Sequence, residues 1–196
     1  IDLVLLHQPF SDYYGAWRAL EELYAEGKIR AIGISNFYAD RMIDFALFNK
    51  VKPMVNQMET HIYNQQKELK KWTEKYGIRL EAWGPFGEGR PGIFDDATVK
   101  EIAAAHGKTS AQVMLRWNIQ RGVVVIPKST HIERMKENFD IFDFKLTDDE
   151  MNRISGIDKN TSAFFSHYDP KMVEWFADMV EQRKNNNDCT KEKKNW

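Results

Sequence analysis

Lys128, Ser129 and Thr130 close the apolar run "VVVIPKST", residues 123–130. A cation and two hydroxyls at the end of a strand suit anion capture, and they equally suit a solvated surface cap. Arg134 and Asn138 are four residues apart, so a helix beginning near residue 131 carries both on one face. Other chemistry-bearing groups also follow apolar runs: His7 with Gln8, Ser35 with Asn36, Asn56 with Gln57, and Trp83 with Gly84. Glu59 and His61 alternate along the chain and can share a face, so a metal-dependent hydrolase site with His7 is one reading. It is weakened because His7 belongs to another strand, no His-x-His pair exists and no carboxylate follows the last strand. His61 is better read as support for the start of the next helix.

These residues need elements to position them. Strand-like runs lie at about 2–7, 31–35, 54–58, 78–83 and 123–126, the last an unbroken β-branched stretch expected to be buried on both faces. Helical patterns lie at about 15–26, 39–49, 64–76, 96–106, 110–120 and 131–139, with a Gly/Pro-rich loop at 84–92. Thr109 with Gln112, Thr130 with Glu133, and Thr147 with Glu150 have capping-box spacing, with Ser110 and Ser129 as competitors for the cap. Alternating strands and helices imply an α/β fold with a parallel sheet, either doubly wound or a (β/α)8 barrel. No Gly-x-Gly-x-x-Gly follows a strand, which removes the usual support for a Rossmann site. Five strand ends that all carry site-type groups favour the shared mouth of a TIM barrel.

The 196 residues are 42% hydrophobic and 29% charged with a net charge of −1, enough for one sizeable core and without the basic excess that nucleic acid or a membrane surface calls for. One cysteine, Cys189, cannot form an internal disulfide, which fits a reducing, cytoplasmic setting, and no membrane span or signal peptide is visible. Only five βα units are evident where a barrel has eight. The chain opens inside a strand-like run without Met, so the expectation is an incomplete barrel, strands 4–8, with the N-terminal three units absent. Residues 1–160 then form the partial barrel, 161–182 a covering segment using Phe164, Phe165 and Trp175, and 183–196 a polar, disordered tail.

Taken together, "IDLVLLHQPF", "GKIRAIGISNF", "VNQMETHIY", "EAWGPFGEG" and "VVVIPKSTHIERMKENF" resemble the aldo-keto reductases, in particular the bacterial diketogluconate-reductase-like branch, from Ile1 to about Trp175. The resemblance implies NADP(H) as cofactor and reduction of a small aldehyde or ketone to an alcohol. It assigns Lys128, Ser129 and Arg134 to the 2′-phosphate and Asn138 to the adenine, with Thr130 also among the cofactor-binding residues. Ser35, Asn36 and Gln57 fall to the nicotinamide carboxamide, since a side-chain amide answers both its donor and its acceptor. Trp83 is assigned to stacking on the nicotinamide, and Gly84, Pro85, Phe86 and Gly87 to the loop passing the pyrophosphate. Strand-end capping for Ser35 and core packing for Trp83 are the structural alternatives.

His7 matches the family's catalytic histidine, a group that polarises or orients a carbonyl. Gln8 stands where eukaryotic members often have Trp, so an aromatic pocket wall is not expected. The family also uses a Tyr acid, a Lys that lowers its pKa and an Asp partner, and no matching motif occurs here. Tyr13, Tyr14 and Tyr63 stand at no corresponding position. The expectation is therefore a chain inactive by itself, whose open barrel edges invite self-association. The alternative is a non-catalytic nucleotide-binding or interaction module derived from the same fold.

Overall fold

The structure, a computed structural model, describes residues 1–192, with side chains described as far as Lys184. Five short strands form one parallel sheet in sequence order: β1 (Val4–Leu6), β2 (Ile32–Ser35), β3 (Val55–Glu59), β4 (Arg79–Trp83) and β5 (Val124–Val125). Between them run α1 (Tyr13–Ala25), α2 (Ala39–Phe48), α3 (Lys67–Tyr76), and the pair α4 (Ala97–His106) and α5 (Ser110–Gln120). After β5 come α6 (Ile132–Phe139) and α7 (Asp148–Gly156). Successive parallel strands joined by helices are the repeating unit of a barrel wall, and this α/β arrangement agrees with the expected fold class.

The period of two along each strand sorts the sheet into two faces. Ile32, Ile34, Met58, Leu80 and Ala82 line one face and pack against Trp17 of α1, Met42, Phe45 and Ala46 of α2, and Leu69 of α3. Trp17 Nε1 donates to the Val51 carbonyl at 3.1 Å, so the indole is both buried and satisfied. A second cluster joins α4, α5 and α7 through Val99, Ile102, Val113, Met114, Trp117 and Ile154. The opposite sheet face carries Ser35, Gln57, Glu59, Glu81 and Trp83, which is where the chemistry collects.

Two local expectations fail. The run 123–126 is not buried on both faces: Val123 is enclosed, but Val124 is 39% and Ile126 47% exposed. Among the described residues β5 pairs only with β4, so it is an edge strand, a property that β-branching cannot reveal. Thr130 and Glu133 do not form a capping box. His131 is the N-cap of α6 with no side-chain bond, which places Glu133 at the second helical position rather than the third. Ser129 takes over locally, its Oγ accepting from the His131 N–H at 3.1 Å. Thr109 with Gln112 and Thr147 with Glu150 do form complete capping boxes.

From Ser162 onward the described residues form a separate compact unit. It contains α8 (Pro170–Glu192), where Phe176 meets Phe165 at 5.8 Å and Trp175 at 4.9 Å between ring centroids. The helix continues through 183–192, where composition suggests a disordered tail. Glu181, Gln182, Arg183 and Lys184 are good helix formers and lead it into that stretch. Residues 193–196 and the side chain of Cys189 lie outside the described residues. Among the described residues no helix is long and apolar enough to cross a membrane.

Candidate cofactor site at the strand ends

Because all five strands are parallel and consecutive, their C-terminal ends share one rim in the order His7, Ser35–Asn36, Gln57–Glu59, Trp83, Lys128. Register places Ser35 beside Gln57, Gln57 beside Glu81, and Glu59 beside Trp83. Ser35 is fully buried and its Oγ donates to the Gln57 carbonyl at 3.0 Å. Asn36 leaves the strand in the left-handed region, φ 65°, which asparagine tolerates better than most residues. Its Nδ2 donates to the His7 carbonyl at 3.0 Å and to Ser35 Oγ at 3.2 Å, while its Oδ1 accepts from Trp83 Nε1 at 2.9 Å. The Trp83 indole therefore reaches from β4 across β3 to the end of β2. Backbone or side-chain atoms of His7, Ser35, Asn36, Gln57 and Trp83 thus belong to one hydrogen-bonded set. The His7 imidazole is exposed on the rim and contributes only its backbone to that set.

Glu81 was not among the residues picked from sequence. It is 8% exposed, and its Oε1 accepts from Gln57 Nε2 at 2.5 Å. That bond commits the nitrogen of the Gln57 amide to Glu81 and leaves its Oε1 as an acceptor. The signal was available: Glu81 is two residues before Trp83, so both side chains occupy one face of β4.

Glu59 and His61, 5% and 2% exposed, pair with each other through Oε1 and Nε2 at 2.9 Å. Tyr63 N–H donates to His61 Nδ1 at 3.2 Å, so the ring proton resides on Nε2 and points at Glu59. His61 also bridges Asn64 through its backbone, closing the turn that leads towards α3. The pair is thus part of a turn, while His7 follows the end of the first strand. Among the described residues no three His, Cys, Asp or Glu side chains are placed to hold a metal. The loop after β4 passes over this pair: a Cβ added at Gly87 would stand 3.8 Å from the His61 ring and 3.1 Å from Ile93 Cδ1. Gly84 and Gly87 have φ of 58° and 54°, and Gly87 N–H closes a turn onto the Gly84 carbonyl at 2.7 Å. Pro85 is buried, and Phe86 packs on Phe94 at 5.4 Å.

Lys128, Ser129, Thr130, Arg134 and Asn138 form a second group at the next strand end. Ala82 is in register with Val125, so Lys128 lies three residues past the partner of the residue before Trp83. Lys128, Thr130 and Arg134 are exposed, and Ser129 and Asn138 are half-buried. Arg134 and Asn138 are one turn apart on α6, as their spacing requires. The acidic residues of α6 are engaged elsewhere, Glu133 with Lys136 at 3.0 Å and Glu137 with Thr109 Oγ1 at 2.6 Å. Lys128 and Arg134 make no ion pair among the described residues, so this end of the rim is electropositive.

A rim of amide, aromatic and cationic groups on parallel strand ends has close parallels. The model of the aldo/keto reductase family matches residues 1–91 and 94–159. The chain belongs to the aldo/keto reductase family. Glyoxal reductase of Bacillus subtilis is 47% identical over 161 residues, covering 82% of this chain and 58% of the relative. Methylglyoxal reductase DkgA of Escherichia coli K12 is 40% identical over 165 residues, covering 81% and 59% respectively. The silkworm aldo-keto reductase AKR2E5, solved with NADPH, superposes with a TM-score of 0.77 at 32% identity, covering 82% of this chain and 55% of that one. The chain thus spans less than three-fifths of the length of these relatives.

Proposed function

We propose that this chain carries the cofactor-binding part of an NADPH-dependent carbonyl reductase acting on small aldehydes or ketones, with short dicarbonyl compounds as the first class to try. The observation that carries the reading is the rim itself, where Asn36 ties His7, Ser35 and Trp83 together beside Gln57 and the unneutralised Lys128. NADPH fits the residues present. Lys128, Ser129, Thr130 and Arg134 offer two cations and two hydroxyls for a phosphate dianion. Gln57 Oε1 and the second lone pair of Asn36 Oδ1 can accept from a carboxamide N–H, with Ser35 holding Asn36 in place, Trp83 offers a stacking face, and Asn138 an amide for the adenine. Gly84, Pro85, Phe86 and Gly87 supply a close backbone approach. When bound, the cofactor supplies a hydride for the carbonyl carbon. The chain's own part is to orient the nicotinamide through Gln57 and Asn36 and to hold the carbonyl oxygen near the exposed His7.

The substrate class is carried by the relatives named for glyoxal and methylglyoxal. The same reading takes the five βα units as strands 4–8 of an eight-stranded barrel. It places the proton-donating Tyr, with its Lys and Asp, in the three remaining units. By itself the chain then binds NADPH and does not turn over. The free edges of β1 and β5 lead it to self-associate. Fluorescence titration with NADPH, paired with NADPH oxidation by glyoxal with and without the matching three-unit segment of a relative, tests this. Binding without turnover, and turnover on adding the segment, is the expected pair. Absence of binding refutes the cofactor reading, and turnover by the chain alone refutes the division of labour. A monodisperse monomer in sedimentation refutes the self-association. A non-catalytic nucleotide-binding module is the second reading, favoured by the unmatched Tyr, Lys and Asp motifs. It predicts binding with no gain from the added segment.

A further inference from the structure

The proposed cofactor contacts leave the Glu59–His61 pair without a task. Both side chains are nearly enclosed. Enclosing two ionisable groups gives little net stability, so apolar side chains would pack this turn as well. What the polar pair adds is direction. Glu59 Oε1 accepts from His61 Nε2 at 2.9 Å on one side of the ring, and Tyr63 N–H donates to Nδ1 at 3.2 Å on the other. A ring held at both nitrogens has one tautomer and one orientation. Arg121 is desolvated as well, but its setting accounts for it. It lies over the Trp117 ring, donates to the Gln65 main-chain carbonyl and has Asp158 and Glu74 as charge partners.

The orientation of His61 matters because of what rests on it. A Cβ added at Gly87 would lie 3.8 Å from His61 Cδ2 and 3.9 Å from Nε2, so the side of Gly87 that would carry a side chain faces the ring. Ile93 Cδ1, 3.1 Å from the same point, closes the remaining space. The same turn holds the other end of the loop. Glu59 is the register partner of Trp83, and Thr60 N–H donates to the Trp83 carbonyl at 3.2 Å. Residues 59–61 therefore fix the segment from Trp83 to Gly87 twice, by a hydrogen bond at its start and by the imidazole at its end. Gln66 Nε2 donates to the Glu59 carbonyl at 3.0 Å and ties the turn to the start of α3.

We propose that Glu59 and His61 are a positioning pair for the nucleotide loop. The carboxylate fixes the ring, the ring sets the height of the Gly84–Gly87 backbone, and that height sets its fit to the cofactor's diphosphate. Neither side chain touches the cofactor. The proposal rests on the cofactor reading above and adds two residues to it. The alternative is that the pair only closes the turn before α3, and then ligand affinity does not respond to it.

Calorimetric titration of the full chain and its variants with three ligands tests the proposal. NADPH is the first. 2′-Phospho-ADP-ribose keeps the diphosphate and lacks the nicotinamide, and adenosine 2′,5′-bisphosphate lacks both. E59A leaves the ring in place but unanchored, and H61A removes it. With the loop at its proper height about a fifth of the time or less, both variants should weaken NADPH and 2′-phospho-ADP-ribose about fivefold or more and leave the bisphosphate unchanged. E59Q keeps an acceptor for Nε2–H and should stay within about twofold of the wild type for every ligand. If H61A does not fold, the contrast between E59A and E59Q decides. Unchanged affinities in E59A and H61A overturn the proposal and leave the cofactor reading intact. So does E59Q as weak as E59A, equal loss for all three ligands, which marks a collapsed rim, or a loss confined to NADPH, which marks displacement of Trp83. A wild-type chain that binds none of the three overturns the cofactor reading itself, and the proposal with it.

Discussion

Replacing Glu81 with leucine should weaken NADPH binding without touching the phosphate end of the rim. Glu81 holds Gln57 Nε2 at 2.5 Å, so the amide presents Oε1 as an acceptor in a fixed orientation. Without the carboxylate, two effects appear. The amide can turn over, and a twofold loss of the competent form costs about 0.4 kcal/mol. The side chain also regains rotamer freedom. A glutamine holds up to about 2 kcal/mol of it, and a half-buried one regains about half. The total is about 1.4 kcal/mol, or about tenfold in Kd. E81Q keeps an acceptor of the same shape but loses the charge, and a neutral bond is roughly half as strong, so about threefold is expected. Tryptophan fluorescence titration measures both. Adenosine 2′,5′-bisphosphate, which has the 2′-phosphate and adenine but no nicotinamide, is the control and should bind all three proteins alike. E81L with native melting and unchanged NADPH affinity refutes the orientation argument. Equal loss of both ligands shows that the rim has collapsed instead, which also refutes it. A wild-type chain that binds the bisphosphate but not NADPH removes Gln57 from the cofactor site.

Exchanging Lys128 and Arg134 for glutamine should lower affinity for the bisphosphate by about tenfold or more and flatten its salt dependence, with NADH affinity unchanged, as titration in rising NaCl will show. T147A removes a formed capping box and should cost about 1 kcal/mol in urea unfolding, whereas T130A, whose box does not form, should cost close to nothing. The Tyr63 phenol, desolvated and bonded to Asp96 at 3.0 Å, has its pKa raised from 10.0 to about 12. The folded state therefore keeps that proton longer than the unfolded one. Its contribution is complete below pH 10 and is lost as pH rises through about 12, so Y63F should flatten the alkaline limb of a pH–stability curve.

What was legible from the sequence followed from one-dimensional periods. Strand and helix bounds came within a few residues because β-branched runs, helical spacing and terminal glycines such as Gly77 and Gly107 are local signals. The shared rim was legible because parallel strands in sequence order must end on one side, which brought Asn36 and Trp83 together without either being near the other in sequence. The edge character of β5 was hidden, since pairing on one side or two is decided by what lies beside the strand. The failed box at Thr130 turned on a one-residue shift of the helix start, below the resolution of a spacing rule.

Glu81 and Arg121 were missed for a different reason, and it bears on how the site works. The spacing of Glu81 to Trp83 puts both on one face of β4 but does not say what Glu81 bonds, and an arginine at a helix end has no distinctive sequence context. Their meaning comes from partners far along the chain, Gln57 for one and Gln65 for the other. Glu81 bonds the Gln57 side-chain amide and so sets which of its atoms is presented, whereas Arg121 bonds the main-chain carbonyl of Gln65. On the proposed reading the rim residues supply the contacts to NADPH, and the buried Glu81 behind them fixes the direction in which Gln57 points. A chain that kept Gln57 while losing Glu81 would retain the contact list but lose that orientation.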